Sequence, residues 1–202
     1  MKADLIFQFA DRIGVFVFAL SGGIAAVRRE MDIFAIVVLA FFPAIGGETI
    51  RDIILDVPVF WLEDTVSLWM AAAGGLFAFF FHRTIEAFKP LRWADAVGLS
   101  LFAVTGAAKA AELDHTITII LIMGGITATA GGVIRDVIVQ RDSFLMSHDI
   151  YATAAIFGAL VYAVIAMIGI DERFAFIAGF AAAFSLRAIG IVFNLALPRP
   201  RL

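Results

Sequence analysis

The chain has 202 residues, of which 62% are hydrophobic and 16% charged, and its formal net charge is -3. Its mean hydropathy is +1.00. Soluble domains are close to half apolar and about one-quarter charged, so this composition excludes an ordinary soluble domain and indicates an integral membrane protein. The absence of cysteine excludes disulfide bonds and cysteine-based metal sites.

Seven apolar segments have the length of about 20 residues that crosses the roughly 30 Å hydrocarbon core of a bilayer. In chain order they cover residues 5–27, 33–55, 66–82, 96–113, 116–139, 150–169 and 174–196. Arg28 and Arg29 follow the first segment instead of preceding it, so we interpret it as a retained helix and not as a signal peptide. Residues 1–202 are therefore predicted to form one all-α transmembrane domain of seven helices.

The lysine and arginine residues predict the orientation of these helices. Seven crossings place the termini on opposite sides, with ten basic residues near the ends of the segments. One side carries Arg28, Arg29, Arg83, Lys89, Arg92, Arg141, Arg199 and Arg201, and the other carries Lys2 and Arg173. Because basic loops are retained in the cytoplasm, we predict a cytoplasmic C-terminus and an external N-terminus.

The chain contains an internal repeat with an offset of 84 residues and no gap. DRIGVFVFALSGGIAA (11–26) aligns with DAVGLSLFAVTGAAKA (95–110), and GETIRDIIL (47–55) aligns with GGVIRDVIV (131–139). Repeat one covers about 5–84 and repeat two about 89–169, with the seventh helix at about 174–196. Each copy holds three crossings, an odd number, so the second copy enters the membrane from the opposite side. The two repeats are therefore predicted to be inverted.

The second and fifth segments combine helix-breaking residues with charges. The breakers are Pro43, Gly46 and Gly47 in the second segment and Gly124, Gly125, Gly131 and Gly132 in the fifth. Proline removes a helical hydrogen bond and glycine loosens the backbone, so both helices are predicted to kink or unwind. In inverted-repeat transporters, broken helices meet near the midplane and form the binding site.

An arginine–aspartate pair follows the glycines in each repeat: Arg51 and Asp52, then Arg135 and Asp136. A charged residue at the centre of a membrane helix costs about 2.5–3.5 kcal/mol, so these pairs need an explanation. One interpretation is a structural salt bridge that joins the repeats. The other is a polar path lined by the pairs, with Arg51 facing Asp136 and Arg135 facing Asp52.

These motifs resemble the trimeric intracellular cation (TRIC) channel family, in its prokaryotic branch. The resemblance rests on GGETIRD and GGVIRD, on FALSG and FAVTG, and on VPVFWL after the first pair, and it extends over essentially the whole chain. It implies a homotrimer in a prokaryotic inner membrane, with a hydrated pore in each protomer that passes potassium and sodium. By motif, the pore region comprises Gly46, Gly47, Arg51 and Asp52 in one half and Gly131, Gly132, Arg135 and Asp136 in the other. Glu48 departs from the family pattern, which more often has a third glycine there, and adds a carboxylate to this region.

Other polar residues have two interpretations each. Ser21 and Thr105 are repeat partners that either line the path or form hydrogen bonds between helices. Lys109 either extends to the interface or places a positive charge in a vestibule. We interpret Asp11 and Asp95 as structural residues. Asp95 is predicted at the N-terminus of its helix, where a carboxylate interacts favourably with the helix dipole.

Arg187 lies deep in the seventh segment and requires a partner that the sequence does not identify. His82 and His148 are predicted on one side and His115 on the other, which excludes a three-histidine metal site within a protomer. No nucleophile motif is visible. We therefore expect no enzyme activity, cofactor, bound metal or nucleic-acid partner, and we expect membrane lipid as the surroundings.

Three functions remain open on the sequence. The first is a passive channel for monovalent cations, chiefly potassium. The second is a secondary transporter of a small solute such as glycine, because inverted repeats suit both classes. The third is a nonconducting scaffold. The sign of the transported ion comes from the family resemblance, whereas the polar path at the glycine positions comes from the residues themselves.

Overall fold

The computed structural model describes the backbone of residues 2–86, 90–140 and 150–195 and the side chains of residues 6–82, 91–140 and 150–195. Within these ranges the chain forms eight α-helices. Their bounds are α1 Lys2–Val27, α2 Ile33–Ile54, α3 Phe60–Glu63, α4 Val66–Glu86, α5 Pro90–Glu112, α6 Ile117–Ile138, α7 Ala152–Met167 and α8 Glu172–Phe193. Each predicted segment overlaps one of the long helices, although α5 begins at Pro90 instead of residue 96, and α3 is a single additional turn between α2 and α4.

Five of the described helices are long and apolar enough to cross a membrane: α1, α2, α5, α6 and α8. The apolar parts of the other two are shorter, at Val66–His82 in α4 and Ala152–Met167 in α7. The all-helical membrane fold is therefore confirmed. The predicted orientation uses Lys89, Arg141, Arg199 and Arg201, which lie outside the described residues, and it stays a prediction.

The repeat is visible in the turns as well as in the helices. Glu30 and Asp114 adopt positive φ angles of 55° and 56°, and Asp56 and Gln140 adopt 54° and 50°. The members of each pair are 84 residues apart in the sequence. A left-handed residue after a helix reverses the chain direction and caps the last carbonyl groups. The two repeats therefore end their first and second helices in the same way.

Packing places α2 and α6 together, with α1 and α5 beside them. Phe18 of α1 stacks on its repeat partner Phe102 of α5, with ring centroids 5.2 Å apart. Each ring covers a glycine of the opposite helix, since Phe102 lies against Gly14 and Phe18 against Gly98. Reciprocal contacts of this kind indicate a pseudo-twofold axis between the repeats. Helix α8 packs outside this arrangement, against α5 and α7.

The helical conformation of α2 and α6 continues through the predicted break points. Pro43 lies inside α2, and α6 includes all four of its glycines within Ile117–Ile138. The unwound segments that the sequence suggested are therefore not seen, and kinks at these points stay a prediction. The glycines instead allow close contact between backbones, which the site depends on.

Candidate functional site

Helices α2 and α6 cross through two glycines that lie 84 residues apart. A methyl group on Gly47 would overlap the carbonyl oxygen of Thr127, and one on Gly131 would overlap the carbonyl oxygen of Pro43. Pro43 and Thr127 are themselves repeat partners. Only glycine permits two helix backbones to approach so closely. This crossing separates two groups of buried charges, one towards each end of the bundle.

The first group, here called the vestibule cluster, comprises Asp11, Glu48, Arg51, Asp52 and Thr105. Arg51 donates from Nε and Nη2 to Asp52 Oδ1 at 2.8 and 2.7 Å, and from Nη1 to Glu48 Oε1 at 3.1 Å. Asp52 Oδ2 accepts the backbone N–H of Phe60 at 2.9 Å. This last bond fixes the start of α3 over the end of α2.

Asp11 and Thr105 bring α1 and α5 to the vestibule cluster. The carboxyl group of Asp11 faces those of Glu48 and Asp52, the hydroxyl of Thr105 and the guanidinium of Arg51. Two buried carboxylate oxygen atoms here accept no hydrogen bond, Asp11 Oδ1 and Glu48 Oε2, and the Thr105 hydroxyl is the side-chain donor beside Asp11. With three carboxylates around one guanidinium, the fully ionised cluster has a formal charge of 1 - 3 = -2. Such an excess of buried charge requires a compensating positive group.

The second group, here called the sealed cluster, comprises Ser21, Asp95, Arg135, Asp136 and Tyr151. Arg135 is 0% exposed and donates from Nη1 to Asp95 Oδ1 at 2.6 Å and from Nε to Asp136 Oδ1 at 2.9 Å. The same Nη1 donates to Ser21 Oγ across the repeats. A buried guanidinium is stable only when carboxylates and further hydrogen bonds replace its hydration. Four elements supply these groups, so the sealed cluster joins α1, α5, α6 and the start of α7.

Tyr151 and Arg187 connect the sealed cluster to α8. The Tyr151 hydroxyl lies where a side chain on Gly132 would be placed, beside Asp95. The guanidinium of Arg187 lies 5.1 Å from the centre of the Tyr151 ring, a cation–π distance. Its Nη1 donates to the carbonyl oxygen of Ile150 at 3.1 Å. These contacts supply the partner that Arg187 required.

A cavity of about 810 Å³ leads to the vestibule cluster and has Asp11, Arg51 and Thr105 among its lining residues. Its walls come from the ends of α1, α5, α7 and α8 and from the α5–α6 turn. Lys109 lines the wall and pairs with Glu112 at 3.0 Å. None of the sealed cluster lines this cavity. The vestibule cluster thus contacts solvent on one side of the crossing, and the described residues enclose the other cluster.

Two predictions about the charged pairs are wrong. Arg51 does not pair with Asp136, nor Arg135 with Asp52, because each arginine bonds the aspartate next to it in the sequence. Both arginines also lie in the last turn of their helix and not near its centre. Inverted repeats send these two helix ends to opposite faces of the bundle, so the pairs are too far apart to exchange partners. At a helix C-terminus a guanidinium is also favoured by the free carbonyl groups.

The remaining predicted residues fall in or beside the two clusters. Gly46 is half-buried beside Ile134, and Gly47 and Gly131 form the crossing. Asp95 is not at a helix start as predicted, because α5 begins at Pro90, where proline suits the first helical position. Sequence reasoning missed Asp95, Asp11 and Tyr151 as members of the site. The identity of Asp11 and Asp95 in the repeat alignment could have indicated the first two, but nothing in the sequence indicated Tyr151.

Comparison with protein families gives a match to the model described as "Glycine transporter" over residues 8–83 and again over 92–167. The two matched segments are also 84 residues apart. A UPF0126 membrane protein of Vibrio cholerae is 36% identical over 194 residues, covering 93% of this chain and 80% of the Vibrio protein. The UPF0126 inner membrane protein YadS of Escherichia coli K12 is 37% identical over 164 residues, covering 79% of this chain and 78% of YadS.

Solved structures resemble the whole chain. A TRIC trimeric intracellular cation channel orthologue from Rhodobacter sphaeroides is 40% identical, with a TM-score of 0.90 over 94% of this chain and 99% of its own. A structure described as a prokaryotic TRIC channel is 29% identical, with a TM-score of 0.88 over 96% of this chain and 99% of its own. Both halves of the chain match the family model, and the fold matches along its length. The protein therefore belongs to the TRIC channel family, in its prokaryotic branch.

Proposed function

We propose that this protein is a homotrimeric channel for monovalent cations, chiefly potassium, with one ion path in each protomer. The observation that carries the proposal is the pair of buried arginine–aspartate clusters at opposite ends of the α2–α6 crossing, with a solvent cavity that reaches one of them. Buried charges in a membrane bundle ordinarily mark an ion or proton pathway. The similar solved structures are described as TRIC cation channels.

Carboxylates outnumber guanidinium groups in both clusters, and this supports selection for cations. The vestibule cluster has three carboxylates to one arginine, and the sealed cluster has two to one. Rings of acidic side chains favour cations, because they replace part of the ion's hydration shell and repel anions. The arginines would hold the acids in place more than they would set the sign of the ion.

In the described conformation the path would be closed. Gly47 and Gly131 bring the two backbones into contact between the clusters, and Arg135 is 0% exposed. Conduction would therefore need a relative movement of α2 and α6 or of the side chains around Arg135. Membrane lipid surrounds the bundle, and the predicted orientation places the vestibule on the external side.

Planar-bilayer recording in asymmetric potassium chloride tests the proposal, with Asp52→Asn and Asp136→Asn as variants. We expect discrete currents that reverse near the potassium potential, and a lower conductance in both variants, because each loses a carboxylate beside the path. Glu63→Gln is the matched control, since Glu63 is an exposed acid at the same end as Asp52. Its conductance should equal that of the wild type. Monodisperse elution of each variant, with the mass of three 21.8 kDa chains, verifies assembly.

The second candidate is a secondary transporter of glycine, which the description of the matching family model favours. A transporter saturates with substrate and shows coupling or exchange, whereas a channel carries unitary current without added substrate. Silent bilayers together with saturable glycine uptake into proteoliposomes would overturn the channel proposal. Anion-selective currents would overturn the assignment of cations.

A further inference from the structure

The carboxyl groups of Glu48 and Asp11 meet at the end of the vestibule. Glu48 is 0% exposed, and its Oε1 is held by Arg51 at 3.1 Å. Its Oε2 has no donor, and the carboxyl group of Asp11, whose Oδ1 also has no donor, lies next to that of Glu48. Two carboxylates in contact cannot both stay ionised at low cost, because their like charges repel and the Glu48 carboxyl group is buried.

Arg51 cannot neutralise this pair of acids. Its Nε and Nη2 are both directed at Asp52, and only Nη1 reaches Glu48. The second carboxylate oxygen of Asp52 is occupied by the backbone N–H of Phe60. The arginine therefore balances Asp52 and one oxygen of Glu48. Asp11 and the second oxygen of Glu48 accept no hydrogen bond from Arg51, which acts on them only through its charge.

We propose that Asp11 and Glu48 form a proton-binding site that controls cation entry from the vestibule. The pair shares one proton between Asp11 Oδ1 and Glu48 Oε2, and direct contact of the two carboxyl groups leaves room for a proton but not for a hydrated ion. When the proton leaves to vestibule water, the two anionic groups separate and a monovalent cation takes its place. The control of cation entry rests on the proposed channel function, whereas the proton site does not.

Repeat two shows what the site requires. The partner of Glu48 is Gly132, which has no side chain, and the Tyr151 hydroxyl lies in the corresponding space. Asp95, the partner of Asp11, bonds Arg135 at 2.6 Å and meets no second acid at that position. The proton site therefore depends on Glu48, the residue at which this chain departs from the glycine pattern of its motif.

Other titratable groups could contribute to a pH effect and need controls. Arg51 and Asp52 of α2 face the pair directly. The remaining titratable or charged groups on the cavity wall are Lys109, Glu112, Asp114, His115, Tyr162 and Glu172. Histidine is the side chain type that ordinarily changes charge near neutral pH, so His115→Gln is the main control. Glu112→Gln is the matched carboxylate control.

The first measurement is potassium conductance of the full-length protein in planar bilayers, with the pH on the vestibule side varied from about 5 to about 9. We expect wild-type conductance to fall by about tenfold towards acid pH, the lower end of the effect of local charge on ion entry. Glu48→Gln and Asp11→Asn keep one ionised acid, as the protonated pair does. They should give the low conductance at every pH, while His115→Gln and Glu112→Gln keep the wild-type dependence of conductance on pH. A wild-type profile in Glu48→Gln would overturn the proposal.

The second measurement is infrared difference spectroscopy of the protein in lipid, which detects a protonated carboxyl group without any current. A carboxyl band that disappears as the pH rises, and is missing in Glu48→Gln and Asp11→Asn, supports the proton site. No such band in the wild type would overturn it. Silent bilayers together with the band would overturn the channel function and leave the proton site standing, so the two failures are distinguishable.

Discussion

The vestibule cluster and the sealed cluster derive from the same repeated sequence but bind their arginines differently. Nη1 of Arg51 donates to Glu48, whereas Nη1 of Arg135 donates to Asp95. Asp11, the partner of Asp95, therefore lies near Arg51 and the acids Glu48 and Asp52, but the Arg51 nitrogens bond Glu48 and Asp52 and not Asp11. One of the two clusters contacts a solvent cavity, and the other contains an arginine that is 0% exposed.

This difference arises at two pairs of positions that are each 84 residues apart. Glu48 corresponds to Gly132, and Ser67 corresponds to Tyr151. Repeat one has the Glu48 carboxylate on its second helix, and this carboxylate accepts the hydrogen bond from Arg51 Nη1. The equivalent nitrogen of Arg135 donates to the aspartate of the first helix of its repeat. Repeat two has no side chain at the position equivalent to Glu48, and a tyrosine hydroxyl from the start of α7 lies beside Asp95. Both repeats thus contain the arginine–aspartate pair, and the residues at these two positions determine which further groups contact each arginine.

The largest expected effect is a difference in the free energy of unfolding between variants of Asp95 and Asp11, which occupy equivalent positions on the first helix of each repeat. Asp95→Asn removes a carboxylate from buried Arg135 and should lower the free energy of unfolding by about 3 kcal/mol, the lower end for a lost partner because Asp136 still pairs with Arg135. Asp11→Asn removes no bond to an arginine, so its effect should be smaller by about 2 kcal/mol. Equilibrium denaturation in mixed micelles measures both. Equal losses would contradict the different bonding of the two clusters.

Alanine substitutions at the two glycines of the α2–α6 crossing are expected to lower stability by similar amounts. Gly47→Ala and Gly131→Ala each force a methyl group against a backbone carbonyl and should cost about 1–3 kcal/mol of unfolding free energy. Gly46→Ala is the control, because its methyl group meets only the movable end of Ile134 at 2.8 Å. The same denaturation measurement applies. If Gly46→Ala were as harmful as its neighbour, helix loosening and not backbone contact would explain the glycines.

Tyr151→Phe tests the substitution that distinguishes repeat two. The ring stays against Arg187, but the hydroxyl beside Asp95 is lost, at a cost of about 1 kcal/mol for one buried hydrogen bond. Denaturation of Tyr151→Phe, Asp95→Asn and the double variant gives the coupling between them. Additive losses would show that the hydroxyl does not act on Asp95.

The smallest effect concerns charge at the cavity wall. Lys109→Gln removes a positive charge that pairs with the exposed side chain of Glu112, so its effect on stability should be below about 1 kcal/mol. Potassium conductance should rise modestly at low ionic strength and not at high ionic strength, because salt screens charges at the wall. An increase that persists in high salt would indicate that Lys109 acts on the path directly.

The sequence alone predicted the membrane location, the seven long helices and the inverted repeat. These depend on hydrophobic length and on a gap-free self-alignment, both of which are local or additive properties. The same alignment selected the charged pairs and the glycines before them. The family model matches residues 8–83 and 92–167, two segments that are also 84 residues apart.

Only the tertiary structure decided how those residues meet. The continuous helices through Pro43 and the glycines, the bonding of each arginine to its own neighbour, and the inclusion of Asp11 and Tyr151 in the clusters all depend on packing between helices. The physical reason is that a guanidinium group bonds whichever carboxylates the packing brings within about 3 Å. Sequence spacing fixes which side chains share a helix face. The packing of α1, α2, α5 and α6 determines which of these side chains form ion pairs with one another.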